Sequence, residues 1–114
     1  ERLPELGRRF LADPTLTRMF TVLAAESFND DDPLHDYFVK RFDLGRKMLG
    51  VVLAGGARRG EFHSDIDPEL IAGEMQAFSS GLETQWFLDH DDDRFMRTYE
   101  AYVAALVQRI CVSP

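Results

Sequence analysis

Apolar residues return every three or four positions along almost the whole chain. Leu16, Met19, Phe20, Leu23 and Phe28 form one stripe, and Leu34, Tyr37, Phe38, Phe42, Met48, Leu49 and Val52 form a longer one. A third runs through Leu70, Ile71, Met75, Phe78, Leu82 and Trp86, and a fourth through Phe95, Tyr99, Tyr102, Val103, Leu106 and Ile110. This spacing gathers side chains on one face of an α-helix, whereas a strand would alternate. Leu3, Leu6 and Phe10 repeat it upstream. No segment reads as a strand. The pattern predicts an all-α helical bundle: a short leading helix and four main helices.

The polar residues mark where those helices begin. Asp13-Pro14, Asp32-Pro33 and Asp67-Pro68 each join a side chain suited to N-capping to a proline suited to the first helical position. Asp91, Asp92 and Asp93 mark a fourth start, with acidic charge at the positive end of the helix dipole. The second main helix is expected from Pro33 to Arg59, roughly 40 Å long at 1.5 Å per residue. Gly45, Gly50, Gly55 and Gly56 weaken it, predicting a bend, fraying, or close packing against a neighbouring helix.

The stretch "GEFHSDIDPEL", Gly60 to Leu70, places His63, Asp65 and Asp67 in the alternation of a metal site. The same residues also read as a turn. Arg58 and Arg59 suit a helix C-terminus, and Gly60 suits the stop. Phe62 and Ile66 are then expected to plug the core, His63 and Asp65 to point outward, and Asp67 to cap the next helix. A metal would need ligands from elsewhere, and His35 and His90 are the other histidines. No glutamate has a histidine three residues later, and His-Glu-x-x-His is absent, so neither a di-iron bundle nor a zinc peptidase is indicated. His35-Asp36 and His90-Asp91 are adjacent pairs at expected helix starts, where the Asp caps and the His is exposed. The clusters "NDDD" (29–32) and "DHDDD" (89–93) lack the spacing and glycine of an EF-hand. No metal and no cofactor is assigned.

Composition narrows the partners. The 114 residues suit one domain; 45% are hydrophobic and 29% charged, a globular balance. The net charge of -7 and pI near 4.8 repel duplex DNA, and the basic pairs are scattered. The longest apolar run, Met48 to Ala54, is too short to span a bilayer, so no membrane partner is expected. Cys111 stands alone, which excludes an internal disulfide and fits a cytoplasmic protein. Glu1 is not a natural start residue, so a trimmed fragment is expected.

With the turn explained, its wording gains meaning. "GARRGEFHSDIDPELIAGEMQAFSSGLETQWFLD" resembles the C-terminal regulatory domain of TetR-family transcriptional repressors, in which an Arg-Gly-Glu turn, a short connector and Asp-Pro lead into a long helix with "GL" and "QW" near its end. "DPTLTRMFTVLAAESFNDDDPLHDYFVKRF" is similar to the ligand-domain helices of that family. Nothing matches the family's N-terminal helix-turn-helix. The resemblance therefore implies an effector-sensing and dimerising half, 1–114, with DNA reached only through a helix-turn-helix domain outside this chain.

The resemblance also implies a pocket for a small apolar or aromatic effector with one polar end. Its expected lining is Met19, Phe20 and Leu23, then Tyr37, Phe38, Arg41 and Met48, then Phe78, Leu82, Gln85 and Trp86, with the polar handles of Tyr37, Gln85 and Trp86 among large aromatics. A homodimer is expected through a four-helix bundle built from the last two helices of each copy. Gly73, Ala77 and Gly81 would let a second helix approach, joined by Met96, Val103 and Val107. Two other classes compete with this reading: a small helical metal-dependent enzyme, and a helical protein-interaction module without a small ligand.

Overall fold

Five helices follow one another in the computed structural model, which describes residues 3–112 and side chains from Glu5 onward: α1 (Leu3–Ala12), α2 (Thr15–Glu26), α3 (His35–Arg58), α4 (Pro68–Asp89) and α5 (Asp92–Ile110). The chain is all-α, as the periodicity predicts. The side chain of Leu3, and Glu1 with its bearing on trimming, lie outside the described residues.

The four acidic start signals divide into two kinds. Asp67 Oδ1 accepts from Leu70 N at 3.2 Å, and Asp91 Oδ1 accepts from Arg94 N at 3.0 Å. Both are N-caps, with Pro68 in the first turn of α4. Asp32 instead accepts from Leu34 N at 2.9 Å, and Asp13 from Thr15 N at 3.4 Å. Bonding two residues onward makes an Asp turn rather than a cap. Hence α3 starts at His35, later than the expected Pro33, and α2 starts after Pro14. His35 is not the exposed residue expected: its Nδ1 lies 2.9 Å from the Ser27 carbonyl oxygen, and the ring is half-buried.

The glycines of α3 neither break nor fray it; the helix runs 24 residues through all four. Close packing is the reason. At Gly50 a side-chain Cβ would lie 3.9 Å from the backbone of Glu69, so α4 crosses α3 there. At Gly56 a Cβ would overlap the ring of Phe62. The connector after α3 therefore folds back over the helix it leaves. Gly60 adopts φ 80°, the left-handed region that glycine enters at least cost.

Two apolar clusters hold the bundle. Leu53, Ile71, Ala72, Leu106 and Ile110 join α3, α4 and α5, and Phe62 and Ile66 pack against them from the connector, as expected. The connector also pairs with the end of α5: His63 N donates to Ile110 O at 2.8 Å and Val112 N to Glu61 O at 3.1 Å. The second cluster is Leu82, Trp86 and Phe95, with Phe10 of α1 stacked on Phe95 at a centroid distance of 5.1 Å. Gly7 lets α1 lie against the ring of Tyr99 on α5. By contrast, α2 has no buried residue. It stands beside α3 and α4 instead of sealing against them, and that separation opens the cavity.

Candidate functional site

A cavity of about 820 Å³ lies between α2, α3 and α4. Thr17, Phe20, Thr21, Ala24 and Ala25 line it from α2, with Phe28 just beyond that helix. Phe38, Arg41, Phe42, Leu44, Gly45 and Met48 line it from α3, and Gln76, Ser80, Glu83 and Thr84 from α4. A smaller recess shares Ala24, Phe28, Phe38 and Phe42 and reaches His35 and Arg46.

Gln76 fixes one side of the cavity. Its Nε2 donates to Phe42 O at 3.0 Å, and Arg46 Nη1 donates to its Oε1 at 3.4 Å while also pairing with Asp43. The amide fills the space that a side chain at Gly45 would take. The opposite wall is aromatic. Phe20 meets Phe38 edge-on at 6.4 Å, and the Arg41 guanidinium sits 4.1 Å above the Phe20 ring, a cation–π arrangement.

Glu83 is the carboxyl of the cavity. It is half-buried, and burial pushes its pKa up to about 7. Its charge also helps to raise the Tyr99 phenol on α5, after burial of that ring. Among the described residues, neither Glu83 nor Arg41 belongs to any ion pair, including one with each other. The apolar walls thus carry one guanidinium and one carboxyl, each without a counter-charge.

Of the expected lining residues, the fold brings Phe20, Phe38, Arg41 and Met48 to the cavity. The others lie elsewhere. Met19 is exposed on α2 and Leu23 is half-buried off the cavity. Tyr37 packs edge-on behind Phe38 at 5.1 Å. Phe78 stacks on Tyr102 at 4.0 Å, and Leu82 and Trp86 belong to the second core cluster. Gln85 accepts from Arg94 Nη1 at 3.1 Å at the far end of α4.

One cause explains the α4 residues. The apolar stripe of α4 is packed into the two core clusters with α1, α3 and α5, and the cavity receives its polar stripe instead. Gln76, Ser80, Glu83 and Thr84 were missed by reading apolar positions alone. The signal for them is a one-sided polar run inside an otherwise apolar helix.

The residues expected at a dimer contact also divide. Ala77 and Gly81 are exposed, and nothing lies within 4 Å of a Cβ built at Gly81. Val107 is 42% exposed and Val103 half-buried. Gly73 instead faces Arg46 of α3, whose Cδ would lie 3.6 Å from a Cβ there, and Met96 packs on the second core cluster. His63 and Asp65 are exposed in the connector. Among the described residues, no three His, Cys, Asp or Glu side chains are grouped to hold a metal ion. No described helix is long and apolar enough to cross a membrane.

No curated protein and no solved structure matches the chain. A family does, and it spans nearly every residue: matched over 2–111 and folded as five helices, the chain belongs to the C-terminal domain family of BetI-type transcriptional repressors, and so to the TetR-type regulatory domains.

Proposed function

We propose that the chain, 1–114, is the effector-sensing and dimerising domain of a TetR-family repressor, and that the cavity between α2, α3 and α4 receives the effector. The observation that carries this reading is the cavity itself. Its volume falls in the range of small-molecule sites, and its walls are apolar and aromatic with a few convergent polar groups. The effector is a small apolar or aromatic molecule with a polar end. The chemistry is binding alone. An effector that fits one arrangement of α2 against α3 and α4 better than another shifts the population between them. The helix with no buried residue is the one with least to lose by moving. DNA recognition belongs to a helix-turn-helix domain outside this chain, and the setting is cytoplasmic.

The test is saturable binding of a neutral aromatic probe, N-phenyl-1-naphthylamine, followed by its fluorescence. One site per chain is expected. Ala24→Trp, which fills the cavity from α2, should abolish binding while helicity is retained. Saturable binding that survives Ala24→Trp would place the site elsewhere.

A further inference from the structure

The cavity walls present two opposite charges that have no ion-pair partner among the described residues. Arg41 sits on α3, its guanidinium held over Phe20. Its only described hydrogen bond is a long one, 3.5 Å, to the Tyr37 hydroxyl. Glu83 sits on α4 with no described hydrogen-bond or ion-pair partner. Phe28, Phe38 and Phe42 supply aromatic surface in the same cavity. A guanidinium stays charged at every physiological pH, and its planar fork fits a carboxylate. A carboxyl in an apolar wall is costly to ionise unless a donor or cation faces it.

We propose that the cavity takes an amphoteric ligand: an apolar or aromatic body with an anionic group that meets Arg41 and a cationic, hydrogen-bond-donating group that meets Glu83. The inference rests on the effector-site reading above and adds the ligand class. A purely anionic ligand would satisfy Arg41 and leave Glu83 opposed by like charge. A purely cationic ligand would satisfy Glu83 and meet repulsion from Arg41. A ligand with both ends pairs both groups at once, the exposed Arg41 and the half-buried Glu83, and the rings between them hold the body. The lining residues of α2 carry no charge, because its polar contributions are Thr17 and Thr21. Of the charged and titratable groups near Glu83, Arg41 lines the same cavity from α3, and Tyr99 on α5 feels the Glu83 charge.

The arrangement also links binding to protons. Burial raises the Glu83 carboxyl to about 7, so near neutrality a fraction of the chains hold it protonated. A cationic group beside it favours the carboxylate and expels that proton.

Isothermal titration with four probes of one shape tests this: 4-(aminomethyl)benzoate, 4-methylbenzoate, 4-methylbenzylamine and neutral 4-methylbenzyl alcohol. The two-ended probe should bind about tenfold or more tighter than either one-ended probe, the gain expected of one added charge-assisted contact. Glu83→Gln should erase the advantage of the amine, and Arg41→Gln that of the acid, with helicity unchanged. In the unsubstituted chain at pH 7, titration in two buffers of different ionisation enthalpy should show proton release with the two-ended probe. One-ended probes binding as tightly as the two-ended one, or no proton release, would overturn the inference. If the alcohol binds and charge makes no difference, the effector-site reading stands and the amphoteric class fails. If none of the four binds, both fail.

Discussion

The indole nitrogen of Trp86 donates to the Asp92 carboxylate at 2.7 Å, across the turn between α4 and α5. The turn depends on His90 in the left-handed region, φ 52°, whose N–H closes α4 on the Trp86 carbonyl at 2.7 Å. Arg94 reinforces it through Asp89 at 2.7 Å and Gln85. One residue therefore closes α4 through its carbonyl, fills the core between α1 and α5 with its ring, and ties down the next helix through its indole N–H.

Asp92→Ala removes the acceptor of a buried indole N–H. The cost expected is about 1–2 kcal/mol, between that of a neutral hydrogen bond and one to a charged group. Urea unfolding measures it, and the emission of the lone tryptophan should shift as the indole loses its partner. An unchanged midpoint and spectrum would mean that the contact is not formed in solution.

At Gly56, Phe62 occupies the place of a side chain. Gly56→Ala would raise helix propensity by about 1 kcal/mol if the space were free. Because the Phe62 ring must move and is wedged against the first core cluster, a net loss of about 1–3 kcal/mol is expected. The comparison variant Gly81→Ala meets open space and should be neutral or stabilising. Thermal unfolding of the two variants decides between steric fit and propensity.

These two contacts show where the sequence was informative. Helix periodicity and the cap at Asp67 were legible because both are local: each depends on residues within one or two turns. The role of Phe62 and Ile66 as plugs was legible from two apolar residues in a polar connector. The pairing of His63 with Ile110 was not, because it depends on where the end of α5 lies in space. The cavity was half legible for a related reason. Phe20, Phe38, Arg41 and Met48 line the cavity because α2 and α3 turn large side chains toward the gap. On α4 the apolar stripe is spent on the core, so its apolar residues lie away from this cavity. Trp86 carries a polar handle, and in the fold that handle donates to Asp92.

The raised Glu83 carboxyl makes stability depend on pH in a definite direction. In the unfolded chain it titrates near 4.5, and in the fold near 7. Between these values the folded chain holds a proton that the unfolded chain has released. Its contribution is therefore complete below about pH 4.5, falls as pH rises, and is lost above about 7. The expected loss is on the order of 1–3 kcal/mol, discounted for water reaching a half-buried group. Asp43, Glu61 and Asp89 have lowered values, chiefly from hydrogen bonds to Lys47, Arg59 and the Asp91 backbone, and act in the opposite sense at lower pH. Glu83→Gln separates the two. Denaturant unfolding at pH 5 and pH 8 should show a steeper decline in the unsubstituted chain than in the variant. Equal declines would remove Glu83 from the explanation.

The proposed dimer is tested best at Gly81, because that position is empty within the chain. Ala77, Gly81 and Leu88 share the open side of α4, and α5 adds Ala101, Ala104, Ala105 and Val107. Small residues on two adjacent helices let a symmetry-related pair approach closely, giving a four-helix bundle with the same patch on both copies. Gly73 faces Arg46 of α3 within its own chain. A Cβ at Gly81 meets none of the described residues within 4 Å, so in a monomer a leucine there is expected chiefly to raise helix propensity, by up to about 1 kcal/mol. Across a close helix crossing it would overpack, costing about 1–3 kcal/mol per site. A stable dimer should bury on the order of 1,600 Å² in total. Sedimentation at micromolar concentration should therefore find the unsubstituted chain dimeric and Gly81→Leu shifted toward monomer, with each variant monomer still helical. Gly73→Leu strains the α3–α4 contact instead, so it should lower stability at every concentration. A Gly81→Leu chain as dimeric as the parent would move the interface away from this face.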